Sequence, residues 1–254
     1  MKLEGKVAIV TGSSKGIGLG IARVFSREGA KVVVTCRTEE AGSKVASELG
    51  AAEGRALYVQ ADVSNSESVR NLIDTTIRAF GRLDVLVNNA GYHLSKNLEQ
   101  ISEEEWDFII NTNLRSTFLC SKYAIPHLRK TKGNIINISS MVGLVGQPNA
   151  SAYSATKGGQ IAMSKGMAID FAPDGIRTNV ICPGWIDTPL VEDWFGQQED
   201  SEASRQYIYS RHPLGRIGTI EDCGRAALYL ASDEDSGFVT GITLNIDGGI
   251  TLGY

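Results

Sequence analysis

Tyr153 and Lys157 stand four residues apart in Tyr153-Ser154-Ala155-Thr156-Lys157, at the start of a helix-like segment. That spacing puts a phenol and an amine on one helical face, within reach of one pocket. A free phenol titrates near 10, and a nearby ammonium favours its ionised form. Spacing alone is thin ground, because about 0.35 such pairs arise by chance in a chain of this composition. Ser140 adds context: it ends an apolar run thirteen residues earlier. A side chain at a strand's carboxyl edge faces the ligand crevice of an α/β sheet.

A second group of residues could hold an anion. Thr11-Gly12-Ser13-Ser14-Lys15-Gly16-Ile17-Gly18 follows the first apolar run and opens the first helical segment. Gly12 allows a tight turn, Gly16 lets the backbone approach a pyrophosphate, and Gly18 lets helix pack closely on strand. Free N–H groups and the positive end of the helix then face the ligand, which reads as a dinucleotide. An acidic residue at the end of the second strand would bind ribose hydroxyls and repel a 2′-phosphate. Here the run is Thr35-Cys36-Arg37-Thr38, with neutral Cys36 and cationic Arg37. With Lys15 as a second cation, the pair suits a phosphate and points to NADP(H) over NAD. Glu39 and Glu40 are the residues that could neutralise Arg37 instead.

Both groups need a scaffold, and the chain supplies one. Short Val- and Ile-rich runs at 7–10, 32–35, 57–59, 85–87, 135–138, 176–182 and 242–246 mostly lack alternation, as strands covered on both faces do. Helix-like segments lie between them at roughly 16–29, 39–49, 66–80, 103–130, 152–171 and 220–231. Strand and helix in alternation give an α/β fold: a parallel sheet with helices on both faces. Glu28-Gly29 and Phe80-Gly81 read as helix stops, and Ser102 with Glu105 as a capping box. No Pro- or Ser-rich linker divides the 254 residues, so residues 1–254 count as one domain. The stretch 184–218, with Trp185, Trp194 and Pro189, reads as an irregular insertion of the lid or substrate-loop kind.

Composition narrows the function. A hydrophobic share of 42% supports a sizeable core, and a net charge of −4 argues against a general nucleic-acid binder. No stretch approaches the roughly 18 to 20 apolar residues of a membrane span. The first six residues run straight into an apolar strand, which leaves no room for a cleavable signal. The four cysteines are scattered without a CxxC pair, and the three histidines are too dispersed to suggest a metal site. A cytoplasmic protein without metal is expected.

Taken together, the motifs resemble those of the short-chain dehydrogenase/reductase family, in register over essentially the whole chain. The matching residues are the 11–18 glycine loop, Asp62-Val63, Asn88-Asn89-Ala90-Gly91, Asn113, Ser140, Tyr153 with Lys157, Pro183-Gly184 with Thr188, and Asp247-Gly248-Gly249. The resemblance implies a single Rossmann-like, doubly wound domain with a seven-stranded parallel sheet. It implies that Tyr153 is the acid/base on the substrate oxygen and that Ser140 hydrogen-bonds that oxygen. Lys157 would bind the nicotinamide ribose and hold down the tyrosine pKa. Asn113 would keep an ordered water linked to Lys157. Asp62 and Val63 would meet the adenine, Asn89, Ala90 and Gly91 the adenosine side, and Ile186 and Thr188, beyond Pro183-Gly184, the carboxamide. For Tyr153 to act as a base near neutrality its pKa must fall by roughly 2 to 3 units, about 3 to 4 kcal/mol. The ammonium and a positive nicotinamide ring would both work in that direction, against burial.

Substrate and assembly are less constrained. His93 and Gln147 border the expected crevice, and two neutral hydrogen-bonding groups suit a sugar, polyol or hydroxysteroid. These two residues and the Leu252-Gly253-Tyr254 ending are similar to a subgroup containing L-fucose dehydrogenases and some 17β-hydroxysteroid dehydrogenases. The chain departs from the acidic residue usual there at Cys36. Trp185, Trp194 and Tyr207 either stack on a substrate ring or pack the lid. A 3-oxoacyl-thioester reductase or general ketoreductase fits the same cations; a nucleotide sensor without turnover and a non-redox dehydratase are the other classes. Asn88 and Asp247 read as structural, His127 as surface, and Trp106, spaced with Ile109 and Ile110, as core or interface. Small residues along 152–171 and the apolar tail 250–254 suggest a homotetramer.

Overall fold

The computed structural model describes residues 1–253; Tyr254, the end of the expected sticky tail, lies outside the described residues. Seven parallel strands form one sheet in the order β3-β2-β1-β4-β5-β6-β7. They are β1 (Val7–Thr11), β2 (Lys31–Thr35), β3 (Ala56–Tyr58), β4 (Val85–Asn88), β5 (Asn134–Ile138), β6 (Arg177–Pro183) and β7 (Thr243–Ile246). Each lies within a residue or two of its apolar run. The order reverses between β1 and β4, and a crevice opens beyond the carboxyl ends of strands at such a switch point. This is the expected Rossmann-like α/β fold.

The sheet is covered on both faces, which is why its strands lack alternation. Within β1, Ala8 and Val10 enter one core layer with Phe25 and Ile21 of α1 (Gly16–Arg27), while Ile9 enters the other. That second layer holds Leu72 and Ile73 of α3 (Ser66–Phe80) and Leu119 and Leu128 of α5 (Ser116–Thr131). In the first layer α1 packs closely on α9 (Ile220–Ala231): a Cβ on Gly20 would lie 2.3 Å from the Ile220 carbonyl oxygen. No helix among the described residues is long and apolar enough to cross a membrane.

Two expectations need correction. The single helix expected over 103–130 is three pieces: α4 (Glu103–Ile109), opened by the Ser102/Glu105 capping box, a π-helical turn over Ile110–Arg115, and α5. The wider turn places Asn113, wholly buried, for bonds outside its own helix. The stretch 184–218 is not irregular. It folds into α7 (Pro189–Gly196) and α8 (Ser201–Ser210), around Phe195, Ile208 and Ile217. Pro189 at the first turn of α7 and the Asp200 carboxylate, accepting from Ala203 N at 2.9 Å, are ordinary helix starts. Trp106 is 38% exposed, so it is not a core residue of this chain. The remaining long helices are α2 (Glu39–Glu48) and α6 (Ser151–Phe171).

Candidate active site

The glycine loop is shaped by positive φ at Gly12 (63°) and Gly16 (57°), which only glycine adopts without strain. A Cβ on Gly18 would lie 2.4 Å from Asn89 Nδ2 and 2.5 Å from the Gly12 carbonyl oxygen, so only glycine fits there. Buried Thr11 clamps the loop to the end of β4: its hydroxyl accepts from Asn89 N at 2.9 Å and Ala90 N at 3.0 Å. The Asn89 amide donates to the Thr11 and Gly12 carbonyls at 2.8 and 3.2 Å. Ser13 Oγ accepts from Thr35 N at 3.1 Å and ties the loop to β2. Among the described residues the first turn of α1 carries no side-chain cap, so its N–H groups remain available to an anion.

The adenosine end lies beside this loop. Arg37, Gln60, Ala61, Asp62 and Ser68 line a cavity of about 380 Å³. Gln60 Nε2 donates to the Arg37 carbonyl at 2.8 Å, and Asp62 Oδ1 accepts from both Ser64 N and Ser64 Oγ. Val63 is buried. Arg37 and Lys15 are exposed, and neither forms an ion pair among the described residues, with Glu39 and Glu40 included. A glycine loop and an uncapped helix end fit the pyrophosphate of a dinucleotide. Thr188 stands over Gly16, with its methyl 3.5 Å from where a Cβ would be. Ile186 turns inward on Gly218, so its main chain is the part left for a ligand.

At the other end, α6 carries Tyr153 and Lys157 to the carboxyl edge of β5. Lys157 Nζ lies 5.6 Å from the Tyr153 ring centre, and His93 meets the same ring edge-to-face at 4.8 Å. Ser140, at the end of β5, sits beside the phenol. Burial pushes the Tyr153 phenol up to about 12, and the Ser140 hydroxyl opposes that rise. Burial pushes the Lys157 amine down to about 8. The sequence reading has Lys157 holding the tyrosine pKa down; the chain's own groups do not achieve this. The amine is instead directed to the Ile138 carbonyl at 2.8 Å and to Gln160 Oε1 at 3.1 Å. Asn113 completes the cluster: its Oδ1 accepts from Tyr92 N at 2.7 Å and its Nδ2 donates to Thr156 Oγ1 at 3.1 Å.

The candidate substrate residues are less gathered. His93 touches Tyr153, and burial keeps its pKa below the usual histidine range, so it is neutral at pH 7. Gln147 is half-buried, and its side chain makes no hydrogen bond among the described residues. Trp185 packs edge-to-face on Trp194 at 4.8 Å, inside the cluster around Phe195. Asn88 joins neighbouring strand ends through Asn137 Oδ1 at 2.8 Å, and Asp247 accepts from Gly249 N at 3.0 Å in the C-terminal turn.

Comparison with known proteins gives this arrangement its relatives. The family described as "Enoyl-(Acyl carrier protein) reductase" matches residues 12–251. The L-fucose dehydrogenase of Bos taurus is 44% identical over 254 residues, covering 100% of this chain and 92% of the relative. The chain belongs to the short-chain dehydrogenase/reductase family. Within that family it is 42% identical to the NADP-dependent (R)-specific alcohol dehydrogenase of Lentilactobacillus kefiri, with 98% of each chain covered. It is 37% identical to the meso-2,3-butanediol dehydrogenase of Serratia marcescens, over 99% of this chain and 96% of the relative. As a short-chain dehydrogenase/reductase it is an NAD(P)-dependent enzyme acting on CH–OH groups and their carbonyl counterparts. Sequence reasoning missed Gln160 and, although Thr11 opens the glycine motif, the clamp that its hydroxyl forms. The signal for Gln160 was available, since it falls three residues after Lys157 on the helical face that also carries Thr156 and Ser164.

Proposed function

We propose that this enzyme is an NADP(H)-preferring oxidoreductase acting on a carbonyl or secondary alcohol of a sugar, polyol or related small molecule. The observation that carries the reading is the convergence of Tyr153, Ser140, His93 and Lys157 at the sheet edge that also bears the glycine loop. When bound, the nicotinamide dinucleotide supplies or accepts the hydride at the substrate carbon. Tyr153, protonated through the neutral range, donates its proton to the carbonyl oxygen during reduction. In oxidation the Tyr153 oxygen takes the hydroxyl proton, which requires the phenol to ionise beside positive charge. Ser140 holds the substrate oxygen by a hydrogen bond, and Lys157 holds the nicotinamide ribose.

Lys15 and Arg37 would grip the 2′-phosphate from two sides, with Gly12, Ser14, Gly16, Ile17 and Gly18 around the pyrophosphate. Asp62, Val63, Asn89, Ala90 and Gly91 would line the adenosine side, and Pro183, Gly184, Ile186 and Thr188 the nicotinamide side. His93 and Gln147 supply neutral hydrogen bonds for a hydroxylated substrate, under the 184–218 segment as lid. Kinship to L-fucose and meso-2,3-butanediol dehydrogenases supports that class. A 3-oxoacyl-thioester substrate is the second reading, favoured by 37% identity to the 3-oxoacyl-[acyl-carrier-protein] reductase of Thermotoga maritima. Exposed Phe108, Phe118 and Ile169 leave apolar surface for further copies, and a homotetramer is the assembly proposed.

The test is turnover of L-fucose, 2,3-butanediol and acetoacetyl thioesters with NADP(H) and NAD(H), repeated with Tyr153→Phe. The variant is expected to lose at least about a thousandfold in kcat/KM, roughly 4 kcal/mol, while binding NADPH within about threefold of the wild type. Retained turnover would overturn the assignment of Tyr153.

A further inference from the structure

Gln160 is completely buried, and every polar atom of its side chain is engaged. Oε1 accepts from Lys157 Nζ at 3.1 Å, while Nε2 donates to the Asn113 carbonyl oxygen at 3.0 Å and to Thr117 Oγ1 at 2.8 Å. The amide's orientation follows from its neighbours. Reversed, it would set an NH2 against an ammonium and an oxygen against a carbonyl. Thr117 Oγ1 also donates to the Asn113 carbonyl, at 2.9 Å. Two side-chain donors therefore converge on that carbonyl. The amide of Gln160 joins the Lys157 amine to the Asn113 main chain.

We propose that Gln160 is a positioning residue that fixes the Lys157 amine behind Tyr153 by bridging it to Asn113. The inference rests on the proposed reading of Tyr153 and Lys157 as the proton-transfer and ribose-binding pair. An ammonium has three donors. Two are committed, to the Ile138 carbonyl and to Gln160, which leaves one for a ligand. Gln160 thereby decides both where the amine sits and how many donors it offers. The backbone of the same residue is anchored as well: Ser164 Oγ donates to the Gln160 carbonyl at 2.6 Å and accepts from Asn137 Nδ2 at 2.7 Å. The bridge is thus built into the buried polar seam between α6 and the sheet.

The titratable groups facing Lys157 are Tyr153 on its own helix, Cys182 of β6 and, beyond Tyr153, His93, with Asp247 acting on Cys182. Burial holds Tyr153 at about 12 and Cys182 at about 11, and His93 is neutral above pH 7. Between pH 7 and 10 the lysine, at about 8, is the member of this group that changes charge.

NADPH affinity is measured by fluorescence titration from pH 7 to 10 for the wild type, Gln160→Met, Gln160→Glu and Lys157→Met. Folding is checked by circular dichroism. Gln160→Met removes an acceptor from the amine and should move the midpoint of the affinity loss to lower pH by about half a unit to one unit. Gln160→Glu keeps the acceptor and adds negative charge, and should move it upward by a similar amount. Combined with Lys157→Met, neither change should alter the pH dependence. Coincident midpoints in wild type, Gln160→Met and Gln160→Glu, with Lys157→Met still altering the curve, overturn this inference alone. If Lys157→Met itself leaves the curve unchanged, the site reading fails and the bridge falls with it. Should Gln160→Met not fold, the isosteric Gln160→Glu decides by the presence or absence of its upward shift.

Discussion

The two ends of the crevice are built from opposite materials. At the phosphate end the protein offers backbone: two glycines at positive φ, an uncapped helix terminus, and the exposed cations Lys15 and Arg37. At the proton end it offers side chains that are out of water, with Lys157, Gln160, Asn113 and Thr156 buried and bonded to one another or to main-chain carbonyls. Charge at the first end is screened by salt and cheap to alter. Charge at the second is desolvated, so its titration is coupled to folding itself. Ligand preference and proton chemistry should therefore respond to different variables.

The largest difference should appear in stability against pH. Folding lowers the Lys157 pKa from 10.5 to about 8. Below pH 8 folded and unfolded chains both hold the proton, and the fold bears the full cost of a buried charge. Between 8 and 10.5 the unfolded chain binds more protons, so this group makes stability rise with pH. Urea unfolding of wild type and Lys157→Met at pH 7 and pH 10 should show the difference between them moving by about 2 to 3 kcal/mol in favour of the wild type. Tyr153, raised to about 12, acts in the other direction only above pH 10. Parallel curves would remove the contrast between the two ends.

Next in size is a test of whether the phosphate end also depends on a buried side chain. Thr11→Val leaves the Asn89 and Ala90 N–H groups without their acceptor. The expected loss of stability is about 2 kcal/mol, with weakened dinucleotide binding, because the glycine loop loses its clamp to β4. A change under about 0.5 kcal/mol would show that loop shape rests on the glycines alone. Smaller again, Arg37→Asp should weaken NADP(H) binding about ten- to thirtyfold and change NAD(H) less than threefold. Raising the salt concentration should shrink the wild-type preference. Equal effects on both dinucleotides would remove Arg37 from the phosphate site.

The difference between the ends also explains what could be read from the sequence. The glycine turn is local: strand, glycine spacing and helix start are contiguous, so the turn over 11–18 and the helix it opens were legible, while the part proposed for Arg37, beyond the end of β2, is left to the dinucleotide titrations. The proton end is assembled from β5, α6 and the π-helical turn, and its decisive contacts are long-range. Amphipathic spacing over 103–130 cannot distinguish a continuous α-helix from one widened at Asn113, because the bonds that accompany the wider turn run to the Tyr92 backbone, 21 residues away in the chain. Gln160 is, by sequence, a polar residue on a helix; its contacts place it between an ammonium and a carbonyl distant in the chain. The 184–218 stretch had helix starts at Pro189 and Asp200, but its Trp and Pro content suggested a loop.

That segment gives the smallest expected effect, and it asks whether the lid is a unit separate from both ends. Its apolar cluster is its own: Phe195, Ile208 and Ile217 with Trp185 and Trp194 packed around them. Its two ends are closed on each other by a short parallel pairing, Gly218 N to the Trp185 carbonyl and Asp187 N to the Gly218 carbonyl, each at 2.8 Å. On its surface the Arg205 guanidinium lies 4.4 Å from the centre of the Phe195 ring and forks onto Glu192 at 2.8 and 2.5 Å. This pair joins α8 to α7 and contacts neither Tyr153 nor the glycine loop. Glu192→Ala should accordingly leave NADPH affinity and the pH dependence of kcat unchanged and shift Tm by less than about 2 °C. On the proposed reading of this segment as the lid, KM for the substrate is the quantity it should move, by up to about threefold. A shifted pH profile would mean that the lid reaches the proton end through a path the packing does not contain.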